Sequence, residues 1–241
     1  VYDVVEDDEG DLWVATWSGL NRIADGDLDD PEKWTTYTVK STDGGLPNDW
    51  VYALDKGADG RLWIGTEGGL ALLKDGEWQN WSHEEGLGAD YEAVKEKIQN
   101  RTNLSKQSRH HAEQAEEQGL EEVKAAYNPN YIVSMEVASD GTVWCGTWGG
   151  GLARFRDGEW TNFTTGDGLP GNHVFMLYED PEGRLWAGTN EGLALRTEDG
   201  FRTYTKQDGI YNNNVFSMGM APDGSYWIGS YGGVAHLGDM P

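Results

Sequence analysis

One pattern constrains this chain more than any other, a ten-residue motif that returns five times. Asp11-Leu12-Trp13-Val14-Ala15-Thr16-Trp17-Ser18-Gly19-Leu20 recurs as Arg61-Leu62-Trp63-Ile64-Gly65-Thr66-Glu67-Gly68-Gly69-Leu70. It returns from Thr142 to Leu152, from Arg184 to Leu193 and from Ser225 to Val234, with its Trp at positions 13, 63, 144, 186 and 227. A repeat period of about 40 residues is the mark of propellers and solenoids, in which no unit can bury its faces alone.

Each copy reads as four short strands joined by tight turns. In the second copy Val51–Lys56 is an apolar run, Asp59-Gly60 is a two-residue hairpin turn and Arg61–Glu67 is the next strand. Gly68-Gly69 turns the chain into Leu70–Lys74, and Asp75-Gly76 turns it again into Glu77–Ser82. Such a meander is a propeller blade. The expected fold is therefore all-β: a five-bladed β-propeller of four-stranded antiparallel blades, the last blade incomplete, forming one domain over residues 1–241. Blades are expected at about 1–50, 51–83, 131–173, 174–214 and 215–241, with a helical insertion at 84–128 between blades 2 and 3. The fifth copy ends without a fourth strand, so nineteen strands are expected and one edge lacks a partner. That open edge suggests a larger parent chain with more residues upstream, or an oligomer.

Composition taken alone would argue against folding. Lys and Arg number 18 against 42 Asp and Glu, a net charge of −24. Leu, Ile, Val and Phe together make up about 18% of the residues, which is in the range of disordered chains. The 12 Trp, 11 Tyr and 34 Gly oppose that reading, because rings carry a large buried area and glycines make turns. The core Trp residues, and the aromatics three apart in Trp34–Tyr37, Trp78–Trp81, Trp160–Phe163 and Phe201–Tyr204, read as packing between blades. So negative a field repels phosphate backbones and anionic lipid, which excludes nucleic acid as a partner. No apolar run approaches the ~18 residues of a membrane span, so no membrane insertion is expected. The single cysteine, Cys145, excludes an internal disulfide.

The elements Asp59–Leu70, Asp157–Thr164 and Gly168–Val174 are the clearest representatives of the pattern D-G-x-L-W-I-G-T-x-G-G-L, then D-G-x-W-x-x-Y-T (with Phe163 at the Tyr), then G-L-P-x-N-x-V. In this the chain resembles the two-component regulator propeller repeat over all its length except residues 84–128. The resemblance implies an extracytoplasmic sensor propeller of a hybrid two-component system, periplasmic or secreted, binding breakdown products of polysaccharides. Five repeats stand where seven or more are usual in that family, and no connector, membrane span or kinase follows.

In a propeller the turn between the second and third strands of a blade shares a face with the link to the next blade. That places Trp17, Glu67, Trp148, Asn190 and Tyr231 around one mouth, beside the links at 41–49, 83–130, 165–173 and 206–214. Three rings with a carboxylate and an amide would suit a sugar, whose apolar face stacks and whose hydroxyls bond. The same rings could instead plug the channel. The links add Asn48, Asp49 and His173, together with Asn172 and Asn212 to Asn214, just before the inner strands. Asn and Asp there also suit plain turn chemistry.

The insertion reads as helix over Tyr91–Asn100 and Gln107–Ala126 and could serve as a lid, a protein-partner surface or a bare elaboration. His110 and His111 are adjacent and point apart, so they form no metal pair. The acidic stretch Asp25 to Glu32 lacks the Gly and the distal Glu of a calcium loop. No metal or cofactor is expected. Four sequons, at Asn80, Asn100, Asn103 and Asn162, are what an Asn- and Thr-rich chain produces freely. These readings converge on a non-catalytic module that binds a carbohydrate, another small ligand or a protein partner. The rival readings are an assembly subunit that uses residues 84–128 and the open edge, and a propeller glycosidase or lyase built on Glu67 and Asp49.

Overall fold

A computed structural model describes residues 1–99, 127–238 and 240. It contains five antiparallel sheets, four of four strands and the last of three, each a meander in chain order. Nineteen strands result, as the repeat predicts. The innermost strands are Asp3–Glu6, Val51–Lys56, Asn128–Val137, Val174–Glu179 and Val215–Met220. Of the expected helices, Tyr91–Gln99 forms, held by Val94 against Ala89 and Tyr127. The stretch Gln107–Ala126, with His110 and His111, lies outside the described residues.

The blades stack face to face, and four apolar layers separate them. Trp13, Ala15 and Leu20 of blade 1 pack on Leu54, Ile64 and Ala71 of blade 2. On blade 2's other side, Trp63 and Leu70 meet Met135, Cys145 and Phe155 of blade 3. Trp144 and Leu152 then face Leu177, Ala187 and Ala194 of blade 4, while Trp186 and Leu193 face Tyr226 and Ile228 of blade 5. Among the described residues no such layer joins blade 5 to blade 1. Trp227 is 51% exposed where Trp186, its repeat equivalent, is 0% exposed, and Val4 is 48% exposed where Leu54 is 4%. The row of blades is therefore open at both ends.

The Thr and the closing Gly of the motif in blades 1 to 4 have a specific cause at the mouth-side turn. The Thr hydroxyl donates 2.8 Å bonds across the turn, Thr16 to the Gly19 carbonyl, Thr66 to Gly69, Thr147 to Gly151 and Thr189 to Gly192. That last Gly takes a positive φ, +81° at Gly151, and a Cβ there would stand 2.2 Å from the Phe163 carbonyl oxygen of the outer strand. Only glycine satisfies both the dihedral and the approach.

Candidate functional site

The residue caught inside each turn, at positions 17, 67, 148, 190 and 231, is the one the sequence places at the mouth. Its backbone is tied inward. The amides of Glu67, Asn190 and Tyr231 donate to the carbonyls of Trp50, His173 and Asn214, the residues just before each blade's inner strand, at 3.0, 3.1 and 3.0 Å. Turn and inner strand therefore move as one unit.

The inner strands contribute something further. In blades 2, 4 and 5 the ladder to the second strand skips one residue, a β-bulge that leaves Tyr52, Phe175 and Phe216 without a cross-strand partner, and in blade 3 two shifts leave Val133 and the stretch from Pro129 to Tyr131 so. A bulge re-aims the extra side chain, and here it sets rings of neighbouring blades against one another. Tyr2 and Tyr131 each lie 4.6 Å from Tyr52, and Phe175 lies 4.9 Å from Phe216. Trp148 stacks on Tyr131 at 5.7 Å and meets Phe175 at 6.1 Å. At the other end Trp50 bridges Tyr52 and Trp17, both at 6.3 Å. An unbroken run of rings thus crosses all five blades from Trp17 to Phe216.

Glu67 lies under the centre of this run and is fully buried. Burial, a hydrogen bond to Tyr131 and the negative Glu67 hold the Tyr52 phenol far above its ordinary pKa. Burial first, then the same carboxylate, pushes Tyr131 up to about 12, although the bond from Tyr52 opposes this. Both phenols are neutral at physiological pH, with Tyr52 donating to Tyr131, next to a carboxylate shielded from water.

The structure sets His173 edge-on to Trp148 at 4.9 Å, while Trp17 reaches them only through Trp50, Tyr52 and Tyr131, the two phenols on which Glu67 acts. Tyr231 stands apart, 71% exposed and in ring contact with none of the described residues. The amide oxygen of Asn190 accepts from the His173 backbone at 3.3 Å, and that of Asn48 from the Trp50 backbone at 2.8 Å. Asp49 accepts from the Val39 amide at 2.7 Å, a bond repeated by Asn130 to His83, Asn172 to Thr165 and Asn213 to Lys206. These polar groups brace the links and, through them, the turns. Sequence reasoning missed Tyr2, Trp50, Tyr52, Tyr131, Phe175 and Phe216. A signal was available: Val-aromatic opens four inner strands, as Val1-Tyr2, Val51-Tyr52, Val174-Phe175 and Val215-Phe216. Among the described residues no group of three or more His, Cys, Asp or Glu could hold a metal ion, and no helix is long and apolar enough to cross a membrane.

Fold and mouth together define a β-propeller with a run of rings across its blades. Residues 45–68 and 168–191 match the family described as two component regulator propeller. No curated protein matches the chain. Among solved structures it is similar to the extracellular domain of a hybrid two component system from B. thetaiotaomicron, with a TM-score of 0.71 and 23% identity over 98% of this chain and 27% of that one. A second extracellular domain from that organism, of a one component system, gives a TM-score of 0.65 at 18% identity over 97% of this chain and 26% of the other. Virginiamycin B lyase from Staphylococcus aureus gives 0.58 at 13% identity, covering 98% of this chain and 69% of the enzyme. These likenesses establish the fold, and the chain spans about a quarter of the length of the two extracellular domains.

Proposed function

We propose that this propeller is a non-catalytic, extracytoplasmic recognition module of the two-component-regulator type that binds a carbohydrate at its mouth. The observation that carries the reading is the run of rings from Trp17 to Phe216, with buried Glu67 beside the Tyr52 and Tyr131 hydroxyls. Rings 4.6 to 6.3 Å apart offer successive stacking platforms to the apolar faces of sugar units. The neutral phenols present hydroxyl oxygens to a sugar's hydroxyls, beside the buried Glu67 carboxylate. The non-catalytic part of the reading rests on the family repeat and on the roles of the other polar groups. Asp49 is engaged with a backbone amide, so of the two carboxylates in the predicted set Glu67 is the one that acts on the Tyr52 and Tyr131 phenols.

The test is binding of the whole chain across a glycan array, followed by calorimetry on the best ligand. Trp148→Ala should weaken binding by at least about tenfold, the scale of one lost aromatic platform. An array without binding, or an unchanged affinity in Trp148→Ala, would refute the carbohydrate reading.

A further inference from the structure

Two arginines on the seam between blades 3 and 4 stand where the repeat does not ask for them. The first is Arg154, which pairs with Trp144 in the ladder, the place that Arg22 holds opposite Trp13 in blade 1. Arg22 is ion-paired with Asp11, a buried carboxylate just before the second strand. Blade 3 carries Thr142 at the position of Asp11, so Arg154 keeps the setting of Arg22 and lacks its counter-charge. The second is Arg196, which pairs with Phe201. At its position blades 1, 2 and 3 carry Ile23, Leu73 and Phe155, all buried.

Both guanidiniums come to one ring. Arg154 lies 6.0 Å and Arg196 5.1 Å from the centre of Phe163. Arg196 also lies 5.3 Å from Phe201, the ring that meets Phe163 across the seam. Each arginine is half-buried. Arg154 donates to the Thr161 hydroxyl at 3.1 Å, while its Nε is shut off from solvent with no hydrogen-bond partner. Arg196 donates to the backbone carbonyls of Thr197 and Gly200. Among the described residues no carboxylate lies within ion-pair distance of either one. Glu198 and Asp199 follow Arg196 closely in sequence and do not pair with it, whereas Arg156, two residues beyond Arg154, is paired with Asp140 and Asp157. Withdrawing a charge from water without a counter-charge is costly, and a guanidinium is best satisfied by an anion that accepts two bonds at once.

We propose that the outer seam between blades 3 and 4 is an oxoanion site, where a divalent ion of the sulfate or phosphate type takes the part in blade 3 that Asp11 plays in blade 1. Arg154 and Arg196 match two negative charges with two positive ones. The Thr161 hydroxyl, which accepts from Arg154, still has a proton to donate. Contact with Phe163 and Phe201 holds the Arg196 guanidinium in place. At physiological salt, charges beyond about 8 Å are largely screened, so the net charge of −24 opposes a small ion at this pair far less than it opposes a polyanion. The site uses none of the residues proposed for the mouth, and both of its walls belong to blades inside the row.

The experiment is thermal unfolding of the full chain in sodium sulfate and in sodium chloride at matched ionic strength, with calorimetric titration of sulfate, phosphate and acetate. Sulfate also stabilises proteins generally by exclusion from their surface, an effect that a point variant leaves in place, so the gain of parent over variant isolates the site. Arg154→Leu and Arg196→Leu introduce the residues that blade 2 carries at these positions, Leu72 and Leu73, so both should fold as the parent does, which circular dichroism verifies. Saturating sulfate should raise the Tm of the parent by about 3 °C more than that of either variant. Calorimetry of the parent should show one sulfate or phosphate per chain, bound at least about tenfold more tightly than acetate. Thr142→Asp, which gives blade 3 the carboxylate of blade 1, should lose the same gain. An equal sulfate gain in parent, Arg154→Leu and Arg196→Leu overturns the proposal, as does a gain that survives intact in Thr142→Asp. Acetate binding as tightly as sulfate, or no saturable binding of sulfate and phosphate to the parent, overturns it however the variants fold.

Discussion

Glu136→Gln should make the protein more stable at pH 8 and change it little at pH 5. The inner strands of blades 1 to 3 each pass a carboxylate to the edge of the next. Asp3 accepts from the Leu54 amide at 2.8 Å, Asp55 from the Val137 amide at 2.6 Å, and Glu136 from the amide of Glu179. The clasp sets like charges in a row, and Glu136 sits in its middle. Burial, then the negative Asp55 and more weakly Glu179, push its pKa up to about 7 from an ordinary 4.5. A raised carboxyl pKa means the folded protein holds a proton that the unfolded chain releases, so stability falls as pH rises from about 4.5 to 7. The full shift corresponds to about 3.4 kcal/mol, but Glu136 is half-buried and solvent screening reduces this to about 1–2 kcal/mol. Gln keeps the acceptor oxygen and removes the charge. Urea or thermal unfolding of parent and variant at pH 5 and pH 8 measures the effect. The variant should gain about 2–8 °C in Tm at pH 8 and converge with the parent at pH 5. An equal difference at both pH values, or a less stable variant at pH 8, would refute the reasoning.

Three further outcomes follow from the packing. Gly151→Ala drives a Cβ to 2.2 Å from the Phe163 carbonyl oxygen at a φ of +81°, so it should cost more than about 2 kcal/mol in urea unfolding. Asp180, 3% exposed, accepts from the Trp186 indole at 2.8 Å and the Arg184 guanidinium at 2.7 Å. Burial opposes its charge, but these bonds outweigh it and hold the pKa below the usual range. Asp180→Asn should therefore cost about 2–4 kcal/mol at pH 7, and the loss should shrink as acid protonates the parent. Cys145 is fully buried, and burial raises its thiol pKa. A thiol reagent at pH 8 should leave it unmodified in the native protein and label it on unfolding, whereas rapid native labelling would mean that the layer between blades 2 and 3 opens.

The blades were legible in the sequence because their cause is local and repeated. Turn glycines, a Trp in the second strand and Asp-Gly hairpins carry their own conformational demands wherever they occur. The mouth was half legible for a related reason. Trp17, Glu67 and Trp148 sit at fixed offsets from the repeated Thr, so fold geometry alone assigns them a face. Tyr52, Phe175 and Phe216 depend on a bulge, one skipped residue in a ladder, and a motif read as strict alternation sends their side chains elsewhere. Tyr131 depends on which blade follows the insertion, a tertiary fact.

The charge of −24 acquires a structural meaning once the inner strands are in view. Most carboxylates belong to turns and outer edges, where they hinder stray strand pairing. A few do the opposite: Asp3, Asp55 and Glu136 tie the inner strands of blades 1 to 4 to one another. An inner strand has no partner for its outer-facing amides, so a side-chain acceptor from the preceding blade is the simplest way to satisfy them. Backbone satisfaction is thereby obtained at the expense of charge repulsion, and the balance shifts with pH. Because the aromatic run is mounted on these same strands, protonation that tightens the clasp also holds Tyr52 and Tyr131 in place. Rigidity of the mouth is thus coupled to the acidic clasp along the inner strands that carry it.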